Sequence, residues 1–253
     1  MVLKADTLTI VDTIVVMQDS KITTDNLGNL FIISPANDIE KYDKNGHKMA
    51  TANFKVLGNI TSIDASNPFE IYIFYRDQNR ILFLDNMLNL RGEADLESIG
   101  ISQIACIGRS GDNQIWILDM GDLKLKKYSK DLKLILESAT LNTLPYMESI
   151  NPEKLLDINN AVLLLNNGSI YEFDIFANYT KLKLTDSISM FQYVNDKIFY
   201  NVKNEFKWYN PLTLSGNNFE LKFPFLTNAI RIEKERLYVL GNHSVILYAY
   251  YEN

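Results

Sequence analysis

The sequence predicts an all-β protein, a six-bladed β-propeller, from three observations. An apolar strand recurs six times, at intervals close to the length of one propeller blade. A second strand, which ends in a turn-forming residue, follows the first five copies. A strand pattern near the N-terminus supplies the strand that the last repeat lacks. No linker or break in composition divides the chain, so residues 1–253 are expected to form one domain.

The recurring strand is entered from a turn and is almost wholly apolar. Its copies lie at residues 29–33, 70–75, 114–118, 161–165, 197–200 and 236–240. Successive equivalent residues are 41, 44, 47, 36 and 39 positions apart, counted at Leu30, Ile71, Ile115, Val162, Ile198 and Leu237. A blade of four strands takes about 40–50 residues, so this spacing predicts one blade for each copy.

The strand that follows each of the first five copies ends at a short polar side chain. These side chains belong to Asp43, Asp85, Ser129, Asp174 and Asn210. Because Asp, Ser and Asn side chains bond to the backbone of turns, each is expected to cap the turn that follows it. The sixth copy, residues 244–251, is apolar and aromatic and runs to the end of the sequence.

Residues 8–16 carry an apolar strand pattern that belongs to none of the repeats. The last blade reaches only its third strand at residues 246–250, so one outer strand is missing there. Pairing the N-terminal strand with the last blade would close the ring. Closure is favourable because an open sheet edge leaves backbone donors and acceptors unpaired.

Composition and charge exclude several classes of partner. The formal net charge is −6 and no basic run occurs, which disfavours nucleic acid. No apolar run is long enough to span a bilayer, so no transmembrane segment is predicted. Residues 1–6 lack the pattern of a signal peptide. The expected compartment is the cytoplasm if Met1 is the native start, and the periplasm or cell envelope if a leader was removed.

Residues 25–32, with the sequence DNLGNLFI, resemble the strand-entry motif D-x-x-G-N-[IL]-[YF]-[VI] of NHL-like six-bladed propellers. Residues 111–117 are a weaker copy. In the spacing of its repeats the whole chain is similar to six-bladed propellers of Bacteroidetes, some of which accompany cell-envelope and secretion machinery. The resemblance implies the fold. It also implies a binding surface formed by the turns between second and third strands and by the inter-blade connections.

A metal-dependent hydrolase is one alternative for the function. Some six-bladed propellers hydrolyse lactones or phosphoesters with a metal that innermost strands hold in the central channel. Here the innermost strands assigned at residues 60–64, 104–107, 155–158 and 190–193 are mostly apolar. Their two acidic residues, Asp64 and Asp157, either face the channel as ligands or end their strands and pair locally. We favour local pairing, and no metal site or cofactor is predicted.

No catalytic residue is predicted either. His47 and His243 lie in turns beside Asn and Gly, and no nucleophile motif accompanies them. Cys106 lies in an apolar stretch and is expected to be a buried thiol. Trp116 and Trp208 lie within strands and are expected to pack between blades, with stacking against a glycan as the alternative.

The connection between the third and fourth repeats, residues 140–152, is the longest in the chain. The leucine alternation that begins at residue 132 predicts an outer strand leading into it, rather than a helix. The blade register places this connection on the same face as residues 75–80. Tyr, Met and Arg are enriched in protein interfaces, so this face is predicted to bind a partner. The candidate residues are Tyr75, Arg76, Leu144, Tyr146, Met147 and Ile150. The alternative is a loop that packs on its own ring.

The expected function is therefore that of a non-enzymatic protein-interaction propeller. The resemblance implies an accessory subunit of a larger assembly, in the cell envelope or in secretion machinery. The metal-dependent hydrolase and a glycan-binding propeller are the alternatives, since a propeller fold by itself does not specify an activity.

Overall fold

The computed structural model describes residues 8–147, 149–158, 160–203, 205–219, 223 and 225–250. Strand β1, Thr9–Val15, comes first in the chain but belongs to the last blade. Blades one to three are β2 Lys21–Thr24, β3 Leu30–Ile33, β4 Asp38–Tyr42, β5 Lys48–Asn53; β6 Ser62–Asp64, β7 Ile71–Tyr75, β8 Arg80–Leu84, β9 Leu90–Asp95; and β10 Ile104–Arg109, β11 Ile115–Asp119, β12 Lys124–Tyr128, β13 Leu134–Glu137. Blades four to six are β14 Pro152–Asp157, β15 Ala161–Asn166, β16 Ser169–Asp174, β17 Tyr179–Thr185; β18 Ile188–Val194, β19 Lys197–Val202, β20 Glu205–Asn210, β21 Ser215–Phe219; and β22 Ala229–Glu233, β23 Arg236–Leu240, β24 Ser244–Ala249.

Each blade is a four-stranded antiparallel sheet, and the six sheets form a β-propeller as the sequence predicts. The recurring apolar strand is the second strand of every blade. The strand predicted between residues 132 and 144 is β13, and a short 3-10 helix, Leu141–Thr143, follows it. Further 3-10 helices lie at Lys55–Leu57, Arg76–Gln78 and Leu96–Ile99. In the part of the chain that the structure describes, no helix is long and apolar enough to cross a membrane.

The N-terminal strand completes the last blade, which confirms the predicted closure. Strand β1 pairs antiparallel with β24, from Thr9 opposite Ala249 to Val15 opposite Ser244. The Val16 backbone N–H then donates to the His243 carbonyl at 3.0 Å. The outer edge of the third strand is thereby paired, as it is in the other five blades.

The hydrophobic core is divided among the interfaces between neighbouring blades. In β3, Leu30 and Ile32 pack towards blade six, whereas Phe31 and Ile33 pack towards blade two. This explains why the second strands are apolar on both faces, since each is covered by a blade on either side. The cluster between blades three and four, called here the blade 3–4 core, comprises Ala105, Cys106, Trp116, Leu118, Leu125, Leu141, Met147, Leu155, Val162, Leu164, Tyr171, Phe173 and Ala177.

The turns between third and fourth strands are capped by the side chains that the sequence singled out. Asp174 Oδ1 accepts the backbone N–H groups of Phe176 and Asn178 at 2.8 and 2.9 Å. Asp43 and Asp85 make equivalent bonds in blades one and two. The same arrangement at Asp25 accounts for the motif at residues 25–32, where the carboxylate holds a turn between first and second strands.

The ring has two distinct faces. The upper face consists of the turns between second and third strands together with the inter-blade connections. A hydrogen bond from Asn79 Nδ2, in one such turn, to the Ser102 carbonyl, in a connection, at 3.2 Å shows that the two lie side by side. The lower face consists of the turns between first and second strands and those between third and fourth strands. Turns of the two kinds are joined by a hydrogen bond from Arg236 Nε to the Lys44 carbonyl at 2.9 Å. The innermost strands run from the upper face to the lower one and surround the channel.

Candidate functional site

The central channel contains a cavity of about 320 Å³. Innermost strands β2, β6, β14, β18 and β22 supply most of its lining, from Lys21 near the upper face to Asn26 and Ser66 at the lower turns. The wall mixes apolar and hydroxyl side chains with ionisable ones. The charged residues on it are Lys21, Asp64, Glu153, Lys154, Asp157, Arg231 and Glu233.

Two cationic side chains meet at one neutral oxygen atom in this channel. Lys154 Nζ donates to the Phe191 carbonyl at 2.9 Å, and Arg231 Nη1 donates to the same oxygen at 3.3 Å. Lys154 also lies over the Phe191 ring, with Nζ 5.1 Å from the ring centroid. Arg231 is 8% exposed, and its Nε is buried without a hydrogen-bond partner. The described residues place no carboxylate within 4.0 Å of either cation.

Burial shifts the pKa values of three channel residues, Lys154, Arg231 and Glu233. Burial, together with the nearby charge of Arg231, lowers the pKa of Lys154 to about 7, against a smaller opposite effect of Asp64. It lowers the pKa of Arg231 to about 10, against a smaller opposite effect of Glu233. It raises the pKa of Glu233 to about 8, although Arg231 works against that shift. Near neutral pH, Glu233 is therefore largely uncharged, Lys154 is present in both its charged and its neutral form, and Arg231 keeps its charge.

Asp64 and Asp157 pair locally, as we favoured from the sequence. Asp64 accepts the backbone N–H groups of Arg109 and Ser66 at 2.8 and 2.9 Å. Asp157 Oδ2 accepts Trp116 Nε1 at 2.9 Å and Ser110 Oγ at 3.0 Å. Among the described residues, no three His, Cys, Asp or Glu side chains are grouped closely enough to hold a metal ion.

The connection between blades three and four packs largely on its own ring. Met147 is fully buried in the blade 3–4 core, and Leu144 and Ile150 pack against that core. Tyr171 Oη donates to the Tyr146 carbonyl at 2.6 Å, and Asn166 Nδ2 donates to the Ser149 carbonyl at 2.9 Å. Glu148, within the same connection, lies outside the described residues.

Tyr146 is the exposed aromatic residue of this connection. Its side chain is 75% exposed, and its backbone has φ 62°, a left-handed conformation that is uncommon for a non-glycine residue. The buried side chains on either side and the bond from Tyr171 hold that backbone in place. The connection thus presents one aromatic side chain to solvent from a fixed main chain.

The two candidate interface residues from the second blade, Tyr75 and Arg76, differ in exposure. Arg76 is exposed on the upper face, where its Nη2 donates to the Ala105 carbonyl. Tyr75 is fully buried between blades one and two, and burial raises the pKa of its hydroxyl to about 12. As folded, neither Tyr75 nor Met147 offers surface to a partner. This corrects the interface predicted from the sequence, because burial of these residues depends on packing between blades that their local sequence does not reveal.

The remaining candidates take the positions expected of them, with one difference. His47 and His243 are exposed in turns, and His47 Nδ1 lies 3.0 Å from Asp43 Oδ2. Cys106 is buried, and burial raises the pKa of its thiol to about 12. Trp116 is fully buried in the blade 3–4 core, as predicted, whereas Trp208 is only partly buried beside Lys197.

Sequence reasoning missed the two channel cations. The innermost strands predicted from the sequence cover four blades and do not include β22, which carries Arg231 and Glu233. The strand predicted in blade four begins one residue after Lys154. One signal was present in the sequence. Arg231 and Glu233 alternate with Ile230 and Ile232, a pattern that places two ionisable side chains together on one face of a strand.

Comparison with known proteins adds information on the fold. No protein-family model and no curated protein matches the sequence. Among solved structures, the WD40 domain of Neurospora crassa Pan2 is 10% identical with a TM-score of 0.70, over 100% of this chain and 98% of that one. Virginiamycin B lyase from Staphylococcus aureus is 13% identical with a TM-score of 0.66, over 96% of this chain and 100% of that one. YCF48 bound to a D1 peptide is 10% identical with a TM-score of 0.59, over 99% of each chain.

At such low identities these likenesses concern the fold alone. They include a WD40 domain, a peptide-bound protein and a lyase, so they do not decide between binding and catalysis. The chain is a six-bladed β-propeller with structural neighbours among virginiamycin B lyases and WD40 domains.

Proposed function

We propose that this propeller is a non-enzymatic protein-binding subunit that contacts its partner through the upper face around Tyr146. The observation that carries the proposal is the exposed Tyr146 side chain on an otherwise anchored connection. Tyrosine is enriched at binding hot spots because it adds a large contact area with few rotatable bonds. A fixed main chain lowers the entropy lost on binding.

Other exposed residues of the upper face support an extended contact. Met17, Val56 and Leu226 lie on three further inter-blade connections, and all three side chains are largely exposed. Arg76 adds a cation on the same face. An apolar set with a charged residue beside it is suited to a protein surface. We extend the proposal to an accessory subunit of a cell-envelope or secretion assembly, as the sequence resemblance implies.

The chemistry of the channel supports a non-enzymatic role over metal-dependent hydrolysis. Asp64 and Asp157 already accept hydrogen bonds from the protein. Lys154 and Arg231 add positive charge to the same cavity, which disfavours a bound cation. Glycan stacking requires an exposed ring, and the ring of Trp116 is fully buried, while that of Trp208 is partly buried against the core between blades five and six.

Site-specific photo-crosslinking in the source organism tests this proposal. A photoreactive phenylalanine analogue replaces Tyr146, and a matched chain carries it at Phe176. Phe176 is 64% exposed in the turn after β16 on the lower face. We expect a discrete protein adduct from position 146 that is absent from position 176. The same adducts from both positions, or none from position 146, would overturn the proposal.

A further inference from the structure

Arg231, which is buried, and Lys154, which is partly buried, differ from other buried or partly buried cations of the molecule. Lys126 is paired with Asp119 at 2.8 Å, Lys183 with Glu172 at 2.7 Å, and Arg109 with Glu70 at 3.4 Å. Lys154 and Arg231 instead share the Phe191 carbonyl, a neutral acceptor. Buried charges are normally paired because desolvation without compensation is costly. The fold therefore keeps the ammonium group of Lys154 and the guanidinium of Arg231 beside an open cavity, with no carboxylate of the described residues in direct contact.

We propose that the channel binds a small anion with a carboxylate or phosphate group between Lys154 and Arg231. The cavity of about 320 Å³ is large enough for a ligand of several non-hydrogen atoms and reaches both side chains. The Nε of Arg231 is buried without a hydrogen-bond partner, so the protein leaves this guanidinium incompletely satisfied. A guanidinium beside an ammonium group suits an oxyanion with two or more acceptor oxygens.

Among the described residues, none of the four acidic side chains that line the channel forms an ion pair with Lys154 or Arg231, and Glu153 is exposed. Asp64 is held by backbone N–H groups of the lower turns, and Asp157 by Trp116 and Ser110. Burial keeps Glu233 largely protonated near neutral pH, so it can donate a hydrogen bond to an anion instead of repelling it. Thr23, Thr61 and Ser62 line the same cavity with further hydroxyl groups.

This inference is independent of the proposed protein interface, since the channel residues and Tyr146 do not overlap. Isothermal titration calorimetry with inorganic phosphate and, separately, with succinate tests it, with ionic strength matched by chloride. Saturable binding of phosphate alone identifies a phosphate ligand, and saturable binding of succinate alone identifies a carboxylate ligand. Equal binding of both assigns a general oxyanion site. Each of these results supports the proposal if the variants below weaken the binding.

Three variants and one control make the result specific. Lys154→Met and Arg231→Met are expected to lower the affinity roughly tenfold or more, since each removes a charge-assisted bond. Arg231→Lys keeps the charge without the planar fork and should retain part of the affinity. Lys55→Met changes an exposed lysine on the upper face and should leave the affinity unaltered.

Two results would overturn the anion site. One is the absence of saturable binding of either anion at millimolar concentration. The other is binding that Lys154→Met and Arg231→Lys leave at the wild-type affinity, which would place the anion elsewhere. Melting curves of each variant identify any that does not fold. If Arg231→Met fails to fold, the other two variants decide the outcome.

Discussion

At the scale of single residues, the channel shows a conflict between stability and electrostatics. Lys154 and Arg231 lie in a poorly solvated site and share one carbonyl acceptor. Burial lowers the pKa of both, which means that their charged forms are destabilised in the folded protein. Residues that reduce stability in this way are concentrated at functional sites. The conflict is therefore an argument for function that is independent of any comparison.

Lys154→Met is expected to stabilise the protein in a pH-dependent manner. Folding lowers the pKa of Lys154 from its ordinary value of 10.5 to about 7, so between these values the unfolded chain binds more protons. The stability penalty of Lys154 is then complete below about pH 7 and disappears as the pH rises towards 10.5. We expect the variant to gain roughly 1–3 kcal/mol at pH 6–7, a few degrees in Tm.

The measurement is the difference in Tm between Lys154→Met and wild type across this pH range. The same cavity is lined by other acidic and basic residues, and taking the difference in Tm removes most of their own titration; they are Lys21, Asp64, Glu153, Asp157, Arg231 and Glu233. Lys55→Met, at an exposed position, should show no such pH dependence. A variant that is less stable than wild type near pH 7 would show that Lys154 is a structural residue.

At the scale of elements, the strands and turns could be predicted from the sequence, and the loop surface could not. Leu30, Ile71 and their equivalents identify second strands because both faces of those strands are covered. Asp43, Asp85 and Asp174 identify turns because their carboxylates bond to backbone two and four residues ahead. These are local requirements that the sequence states directly.

The candidate site depends on contacts between blades, which local patterns do not specify. Tyr75 and Met147 have the residue types of an interface, yet both pack between blades. Of the predicted set, Tyr146 and Arg76 are exposed. The sequence does not single out Arg231, because its strand is recognisable as an innermost strand only when all four strands of the last blade are identified. Burial at these positions is set by the ring, not by the neighbouring residues.

Asp174→Ala tests the turn element. The change removes two backbone hydrogen bonds and the bond from Asn178 Nδ2 at 3.0 Å. We expect a loss of about 0.5–1.5 kcal/mol, measured by urea unfolding at pH 7. Asp174→Asn keeps an acceptor oxygen and should lose less. Folding lowers the pKa of Asp174, so the wild-type advantage over Asp174→Ala should shrink as the pH falls below 4.

Equal stability of Asp174→Ala and wild type at pH 7 would contradict this account of the turn. It would mean that the capping bonds replace equally good bonds to water, and that the repeated Asp has no energetic role in the fold.

At the scale of the whole molecule, the blades are held in a ring by apolar contacts between neighbours and by one non-local pairing. Each of the six interfaces between neighbouring blades has an apolar cluster, and this includes the interface between blades six and one. Strand β1 joins the two ends of the chain, and its Ile14 is buried in the blade 6–1 cluster. The ring also holds β22 close to β18 and β2, which positions Arg231 in the channel. Closure is therefore a condition for both stability and the anion site.

The most direct test of the closed ring is thermal unfolding, followed by circular dichroism, of a chain that lacks residues 1–17. The deletion removes β1, exposes the edge of β24 and uncovers the cluster around Val245 and Leu247. In the full chain, Ile14→Asp should also destabilise, whereas Val15→Asp, on the exposed side of the same strand, should not. We expect the truncated chain to lose at least about 3 kcal/mol, on the order of 10 °C in Tm. A truncated chain that melts cooperatively at the Tm of the full chain would contradict the closed six-bladed ring.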